Sequence, residues 1–380
     1  MKAMKILNTS MISETLNENS NIDIERRNYY IEKLCKELEK FGFLLNKEGN
    51  LILLEDIRTV QVKLSKITNE KYKKLRKKVE RYFAKDLSEI DPMNIKPRLE
   101  LIPVNKNDKD TRKKRAIFNY AKSFWSIPVS TGFGRRMDYI LWDDNVEKVI
   151  GIFGLCDPVI GLGVRDNFIG WNKEIKEERL YNIMTAYILG AVPPYNQILG
   201  AKLVALSAIS KEVIEDFYKR YNNKKTLIKG RKKTPYLVAI DTLGAFGKSA
   251  IYNRLRGWKF VGYTKGQSHL HLTLNGVYEI LIEVIEKFGN KDILKRYKFG
   301  EGPNYKFRVI SEGLKILGLN KKKFTIHSIK RGYYFAPLAE NWREFLLMRT
   351  EEPKFIANSL EDNFLYWKER WLSKRLKTMK

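Results

Sequence analysis

Cysteine, histidine and long apolar runs are all scarce in this sequence. Its 380 residues include two cysteines, Cys35 and Cys156, and three histidines. Two cysteines so far apart define no disulfide framework, and a structural zinc site needs about four closely arranged ligands. No apolar run approaches the roughly 20 residues that cross a bilayer, and the N-terminal residues lack the apolar core of a signal peptide. We therefore expect a cytoplasmic protein with no metal site and no membrane partner.

Familiar catalytic signatures are also missing. The sequence contains no P-loop, no Gly-x-Gly-x-x-Gly, no His-Glu-x-x-His and no Gly-x-Ser-x-Gly. The absence of these motifs argues against a P-loop or Rossmann-type nucleotide enzyme, a metalloprotease and a serine hydrolase. His269 and His271 alternate in a predicted strand, where exposed side chains explain them more simply than a substrate contact does.

Acidic residues are too few to balance the basic ones. Lys and Arg number 72 and Asp and Glu number 44, which gives a formal net charge of +28 at pH 7. A lysine-rich coding bias is one explanation, but such a bias should bring glutamate with it. A field of this sign attracts polyanions, so we expect a nucleic-acid partner, and DNA first.

The sequence does contain enough apolar surface for a folded core. Apolar residues make up 43% and aromatic residues 12% of the chain, which argues against global disorder. The patterns predict an α/β (α+β) fold, with a mixed central sheet and flanking helices after a basic helical region. We expect a loose N-terminus over residues 1–20, basic helices and a linker over 21–110, a core with a C-terminal extension over 111–348, and a basic C-terminal helix over 349–380.

A basic amphipathic helix is predicted from Lys63 to Lys85. Its basic face is typical of a phosphate-backbone contact and equally of a solvated surface, and the sequence leaves both open. A second basic run occupies Thr111–Arg115, and basic residues mix with aromatic ones after Ile326. The predicted nucleic-acid contacts are Lys73, Lys74, Arg76, Lys77, Lys78, Arg112, Lys113, Lys114, Arg115, Lys330 and Arg331.

Two carboxylates stand at the ends of predicted strands. Asp166 lies in the segment VRDNFIGW, and Asp241 follows the predicted strand Tyr236–Ile240. In open α/β sheets, ligands collect at the carboxyl ends of strands, where a carboxylate can act as a base or bind an amine. Either residue could instead cap a loop or pair with an arginine. We predict both as catalytic residues.

The segment Tyr236–Gly266 reads as a strand, a glycine-containing loop, a short helix that carries Tyr252, and a second strand. Tyr252 could donate a proton to a leaving group or simply lie half-buried. Earlier in the chain, the turn PPYNQILGAK places Gly200 near a helix start, where backbone N–H groups attract anions and Lys202 adds charge. An ordinary strand-to-helix turn is the alternative.

Three segments together resemble a known family: VRDNFIGWN at 164–172, the segment Tyr236–Gly266, and GYYFAPLAENWREFL at 332–346. Their order and spacing, from about Phe124 to Leu347, are similar to the DruA family of the Druantia anti-phage system, long classed as a domain of unknown function. The positions that match its motifs are Arg165, Asp166, Ile169, Gly170, Trp171, Asp241, Gly247, Tyr252, Trp258, Gly262, Thr264, Gly266, Tyr334, Pro337 and Leu338.

The same core resembles the GCN5-related acyltransferase fold, and more closely the phage Mom-type DNA-modification enzymes. The resemblance implies that two parallel strands, Tyr181–Leu189 and Tyr236–Ile240, splay apart around an acyl-coenzyme A. It also implies that the loop Gln197–Lys202 holds the pyrophosphate and that Tyr252 is the acid. Cofactor contacts would come from Gln197, Gly200 and Lys202, and Lys202 stands where the usual pattern has a small residue.

Three functions follow as hypotheses. The first is a DNA-associated defence protein of the DruA type, with a basic surface next to an acyltransferase-like core and other defence proteins as partners. The second is a Mom-like enzyme that modifies DNA bases with an acyl-coenzyme A. The third is a catalytically degenerate nucleic-acid scaffold, or a protein of a mobile element. The sequence leaves open whether the core is an enzyme.

Overall fold

The computed structural model describes residues 22–46, 50–53, 56–105, 107–127, 129, 134–226, 230–245, 247–265, 272, 276–299, 305–325 and 330–379. The predicted loose N-terminus lies outside these ranges. The helices are α1 (Ile24–Lys40), α2 (Ile57–Lys73), α3 (Arg76–Val79), α4 (Lys109–Ala121), α5 (Gly163–Ile169), α6 (Lys173–Arg179), α7 (Gly200–Ser207), α8 (Lys211–Tyr221), α9 (Val277–Phe288), α10 (Lys291–Phe299), α11 (Tyr305–Ile316), α12 (Lys321–Thr325), α13 (Trp342–Leu346), α14 (Leu360–Trp367) and α15 (Ser373–Met379). The strands are β1 (Phe43–Leu45), β2 (Leu51–Leu53), β3 (Pro97–Leu101), β4 (Arg136–Asp143), β5 (Lys148–Cys156), β6 (Ile183–Ala191), β7 (Ala239–Leu243), β8 (Lys259–Tyr263) and β9 (Gly332–Pro337).

The smaller of two compact units comprises residues 1–63 and 265–330 and is mainly helical. Helix α1 begins at the N-cap Asp23, whose carboxylate accepts a hydrogen bond from the Arg26 N–H at 2.8 Å. Strands β1 and β2 pair in antiparallel orientation. Helix α9 packs against both α1 and α11, because its apolar stripe is buried.

The larger unit comprises residues 64–264 and 331–380 and is built on one seven-stranded sheet. The strand order is β3-β4-β5-β6-β7-β9-β8. All neighbouring strands are antiparallel except β6 and β7, which are parallel. With helices on both faces, this sheet confirms the predicted mixed α/β class.

The parallel pair β6–β7 is short. It joins three residues of each strand and ends where Thr185 faces Asp241. One residue further on, the Thr242 hydroxyl donates to the Ala186 carbonyl at 2.8 Å. A register shift between β5 and β6 lies beside this point, and such bulges bend a strand away from its partner. The ladder between the two central strands therefore stops near the middle of β6.

Side chains alternate between two faces of the sheet. The back face, which carries Met184, Ala186 and Ile240, packs against α7, α8 and α14. The front face carries Ile183 and Ala239 under α5, α6 and α13. Further along the front face, the residues around Ile140 and Ile188 pack under α3 and α4.

Three predicted elements differ from the structure. The predicted linker between Asp86 and Asp110 contributes β3, which pairs with β4. The helix predicted over Lys63–Lys85 is broken after Lys73 and continues as α3 and a 3-10 turn. The short helix predicted around Tyr252 is a series of turns, because Arg254 and Gly257 adopt positive φ angles of 55° and 82° that end a helix. The predicted domain boundaries stay predictions.

Within the ranges that the structure describes, every helix is too short or too polar to cross a bilayer.

Candidate functional site

The two predicted catalytic carboxylates lie in one cluster on the front face, joined by an arginine. Arg165 on α5 is 0% exposed. Its guanidinium donates to Asp166 Oδ1 at 2.9 Å, and its other terminal nitrogen lies 4.0 Å from Asp241 Oδ2. That nitrogen is buried and has no hydrogen-bond partner. The structure therefore brings Asp166 and Asp241 together around one buried positive charge.

Asp241 is almost fully enclosed, with 1% of its surface exposed. Its carboxylate accepts hydrogen bonds from the hydroxyls of Thr185 on β6 and Tyr333 on β9, the latter at 2.9 Å. Burial raises the pKa of Asp241 above its ordinary value, and the charge of Arg165 with these two hydrogen bonds opposes the shift only in part. The side chain is thus held in place by three strands and one helix.

Asp166 is the more polar and more accessible of the pair. It accepts hydrogen bonds from the indole of Trp171 at 3.0 Å and from Lys176 at 3.1 Å, in addition to that from Arg165. Burial raises the pKa of Asp166, but the charge of Arg165 and these hydrogen bonds outweigh it, and the pKa lies below its ordinary value. The two carboxylates therefore have opposite pKa shifts, a pattern typical of functional pairs and also of structural ion networks.

Sequence reasoning missed three members of this cluster: Arg165, Thr185 and Tyr333. Arg165 was visible only as a family motif position beside Asp166. Tyr333 is 92 residues from Asp241, so no local spacing could have connected them. A signal was present in the alternation of β9, since Tyr333 and Phe335 share the buried front face.

Tyr252 lies on the other side of the sheet. It packs in the back-face core with its ring 4.7 Å from those of Trp258 and Tyr334. Burial raises the pKa of the Tyr252 hydroxyl well above its ordinary value, and a hydrogen bond with Thr242 opposes this only in part. Since Thr242 and Asp241 are consecutive residues of β7, their side chains point to opposite faces. The structure does not bring Tyr252 together with the carboxylates.

Most backbone N–H donors of the loop predicted to hold a coenzyme pyrophosphate are already engaged. The N–H groups of Gln197, Leu199 and Gly200 donate to the carbonyls of Pro194, Asn196 and Tyr195. At Gly200 an added Cβ would meet the Tyr195 carbonyl oxygen at 2.7 Å, so glycine is needed there for the turn itself. An anion-binding loop requires free N–H groups, and these residues do not fit a pyrophosphate.

Lys202 is turned away from that loop and buried. Its ammonium donates to the carbonyls of Ala250, Ile251 and Asn253 at 2.9–3.0 Å. Burial lowers the pKa of Lys202 to about 8, with a further contribution from Arg254. All three donors are used to hold the turns around Tyr252. Lys202 therefore has no donor left for a phosphate.

The C-terminal helices cover the same loop. The Trp367 indole donates to the Leu199 carbonyl at 3.1 Å, and Arg375 donates to the Gln197 carbonyl at 2.9 Å. The Lys202 ammonium also lies 4.1 Å from the centre of the Trp371 ring. The predicted cofactor role of Gln197, Gly200 and Lys202 has no support from this geometry.

A basic surface is formed where the end of α2, helix α3 and helix α4 meet. Val79 of α3 is buried with Ile117 and Phe118 of α4. The solvent-exposed faces of these two helices therefore lie side by side. Its exposed cations are Lys73, Lys74, Arg76, Lys77, Lys78, Arg112 and Lys113. Lys73 pairs with Glu70 and Arg76 with Glu80, while the others have no acidic partner among the described residues. We call this set the α3–α4 basic surface.

The remaining predicted nucleic-acid contacts divide into paired and free residues. Lys114 bridges Glu100 and Asp110, and Arg115 pairs with Asp138 at 3.5 Å. Arg331 donates to the carbonyls of Gly244 and Leu243 at 2.7 and 3.1 Å, and is used to hold that loop. Lys330 is exposed.

His269 and His271 lie outside the described residues. In the part of the chain that the structure covers, no three His, Cys, Asp or Glu side chains are grouped to hold a metal ion.

Comparison with known proteins agrees with the sequence resemblance. The family model described as Druantia protein DruA matches residues 47–347. The chain is 34% identical over 348 residues to Druantia protein DruA of Escherichia coli (strain UMEA 4076-1). The aligned region covers 87% of this chain and 83% of that protein. No solved structure matches the chain. With a family match over most of its length and a relative at this identity, the chain belongs to the DruA family of Druantia proteins.

Proposed function

We propose that this chain is a DNA-associated protein of an anti-phage defence system, and that the α3–α4 basic surface contacts the phosphate backbone next to an acyltransferase-like core. Membership of the DruA family supports the defence role. Other proteins of the same defence system as partners, and a cytoplasmic location, belong to this proposal.

The observation that carries the nucleic-acid contact is the packing of α3 on α4. It gathers Lys74, Lys77, Lys78 and Arg112, all exposed and without acidic partners among the described residues, on one surface. Exposed cations without local ion pairs can neutralise DNA phosphates and so displace the counterions condensed on the DNA. The release of these counterions drives binding without sequence readout.

The strand order supports the acyltransferase-like core. The resemblance implies two parallel central strands that separate part-way along, and β6 and β7 pair over three residues before their ladder stops. Beyond Thr185, no residue of β6 pairs with β7 among the described residues, which agrees with two strands that separate.

Among the alternatives, the contacts of the loop favour a catalytically degenerate core over a Mom-like acyl-coenzyme A enzyme. The loop amides bond to neighbouring carbonyls, Lys202 donates to the turns around Tyr252, and Trp367 of α14 donates to the Leu199 carbonyl. Tyr252 is buried behind the sheet, away from Asp166 and Asp241. The carboxylate cluster around Arg165 would then act in positioning or ligand binding rather than in acyl transfer.

Binding to a fluorescent DNA duplex, followed by anisotropy at low salt, tests the proposal. Changing Lys74, Lys77 and Lys78 together to Gln should weaken binding by roughly 10- to 100-fold, because three phosphate contacts are lost. The matched control changes three exposed lysines on and after α8, namely Lys211, Lys219 and Lys224, to Gln. Equal losses in the two triple variants, or no binding by the unaltered protein, would overturn the assignment of this surface.

A further inference from the structure

One buried cation in the larger unit has neither a hydrogen bond nor an ion pair within the described residues. Lys122, in the 3-10 turn that follows α4, is 6% exposed. Its ammonium lies 4.9 Å from the centre of the Phe118 ring and 5.4 Å from that of Tyr72. Aromatic faces return only part of the hydration free energy that a buried ammonium loses. The described residues therefore give this ammonium aromatic neighbours but no bonded anion.

The surroundings of Lys122 carry an excess of positive charge. Asp138 is 4% exposed and is bound by the Tyr187 hydroxyl at 2.7 Å and by Arg115 at 3.5 Å. Asp138 is the carboxylate that acts most strongly on Lys122, and the positive charges of Arg136, Lys71 and Arg115 act against it. The Arg115 Nε is buried and without a hydrogen-bond partner. One carboxylate therefore faces four cations, and donors remain unused.

The protonation of Lys122 responds to this environment. Burial, together with smaller effects of the charges of Arg136, Lys71 and Arg115, lowers the pKa of Lys122 to about 8, and the charge of Asp138 opposes this shift. An anion placed beside the ammonium would favour the charged form and raise the pKa again. Binding of an anion would thus be linked to uptake of a proton.

We propose that Lys122, Arg115 and Arg136 form an anion site on the front face of the sheet, and that its ligand is a phosphate group. Guanidinium groups present paired donors that match phosphate oxygens. Arg115 lies on α4, so the site adjoins the α3–α4 basic surface. Tyr187 and Thr185 lie two residues apart on the front side of β6, so the site also neighbours the cluster around Asp241.

The inference depends on the proposed nucleic-acid contact only for the source of the phosphate, which is either the nucleic-acid backbone or a free phosphate-type ion. Two probes distinguish these sources. Inorganic sulfate and a deoxyadenosine pentamer without terminal phosphates both keep their charge between pH 7 and pH 9. Any pH dependence of binding then comes from the protein.

Calorimetry with both probes at constant ionic strength is the experiment. Binding should take up a proton, and affinity should fall about tenfold from pH 7 to pH 9 because Lys122 loses its charge across a pKa of about 8. Lys122→Met keeps the apolar packing against Phe118, and should weaken binding about tenfold at pH 7 and remove the pH dependence. Arg136→Gln is the second variant, should Lys122→Met fail to fold, and Lys219→Met is the matched control on α8.

The outcomes separate this inference from the proposed function. If the pentamer shows the Lys122-dependent profile and sulfate does not bind, the backbone is the source of the phosphate. If sulfate binds with that profile while the pentamer and duplex DNA do not, the anion site stands and the nucleic-acid contact fails. If Lys122→Met and Arg136→Gln bind both probes with the affinity and pH profile of the unaltered protein, the anion site is wrong.

Discussion

At the scale of single residues, some contacts of the carboxylates Asp166 and Asp241 could be predicted from the sequence and others could not. Both were predicted as polar residues at strand ends, and pairing with an arginine was left open as the alternative. The strand-end positions were wrong, because Asp166 lies inside helix α5 and Asp241 lies in the middle of β7. The structure places one arginine, Arg165, between the two carboxylates. That Asp166 contacts its neighbour in sequence could be foreseen. The approach of Arg165 to Asp241 could not, because it depends on how α5 docks on the sheet.

Replacing Arg165 or Lys176 should change the free energy of unfolding by different amounts. Arg165→Met should destabilise the protein by about 3–5 kcal/mol at neutral pH, because it leaves the Asp241 carboxylate buried near no opposite charge. Lys176→Met, which removes the partly exposed partner of Asp166, should cost about 1 kcal/mol or less. Urea denaturation followed by tryptophan fluorescence measures both.

The pH dependence of the destabilisation by Arg165→Met tests whether the buried charge of Asp241 causes it. The folded-state pKa of Asp241 is raised above its ordinary value of 3.8, so the stability linked to this group is present below that value and is lost as pH rises through the folded pKa. Without Arg165 the pKa rises further, and the cost of Arg165→Met should shrink as pH falls toward 4. A cost equal to that of Lys176→Met, or one that grows on acidification, would contradict the account.

At the scale of elements, helices and strands with their own local signals were predictable, and the breaks between them were less so. The apolar periodicity of residues 277–288 predicts a helix with the bounds of α9, and that of residues 23–43 predicts α1, which begins at the Asp23 cap. Apolar runs on both sides of an Asp-Asp-Asn turn predict the pairing of β4 with β5, and the structure confirms it. The sequence predicts a helix around Tyr252 where the structure has turns, because the positive φ of a non-glycine residue, Arg254, has no signal in the sequence.

Helix α14 gives the prediction at this scale. Trp367 is 0% exposed and its indole donates to Leu199, whereas Leu365 on the same helix is 48% exposed. Trp367→Ala should destabilise the protein by about 3–5 kcal/mol, since it opens a cavity and leaves a carbonyl unpaired. Leu365→Ala should change the free energy of unfolding by about 0.5 kcal/mol or less. If both variants unfold at the same urea concentration, α14 is not packed on the loop as described.

At the scale of the whole molecule, the fold class followed from composition and periodicity, but the division into units did not. Residues 265–330 stand between β8 and β9 in sequence, and they cluster with residues 1–63 rather than with the sheet. Such an association joins segments about 200 residues apart, and no local pattern encodes it. The family resemblance did not help either, because nearly all of its motif positions lie in the larger unit.

The net charge of +28 admits two whole-molecule explanations of DNA binding, and the salt dependence of the duplex affinity separates them. If the charge acts as a diffuse field, the two triple variants, at Lys74, Lys77 and Lys78 or at Lys211, Lys219 and Lys224, remove equal charge and should lower the salt slope equally. If the α3–α4 basic surface contacts the backbone, only the first triple should do so. The slope of log K against log salt is negative, and it should then become less negative by about 0.9 for each lost phosphate contact, or about 2.7 for three. We expect this second result, because α3 and α4 pack with their unpaired lysines on one side. Equal slopes for the two variants would mean that the duplex responds to total charge and that this surface has no special part in binding.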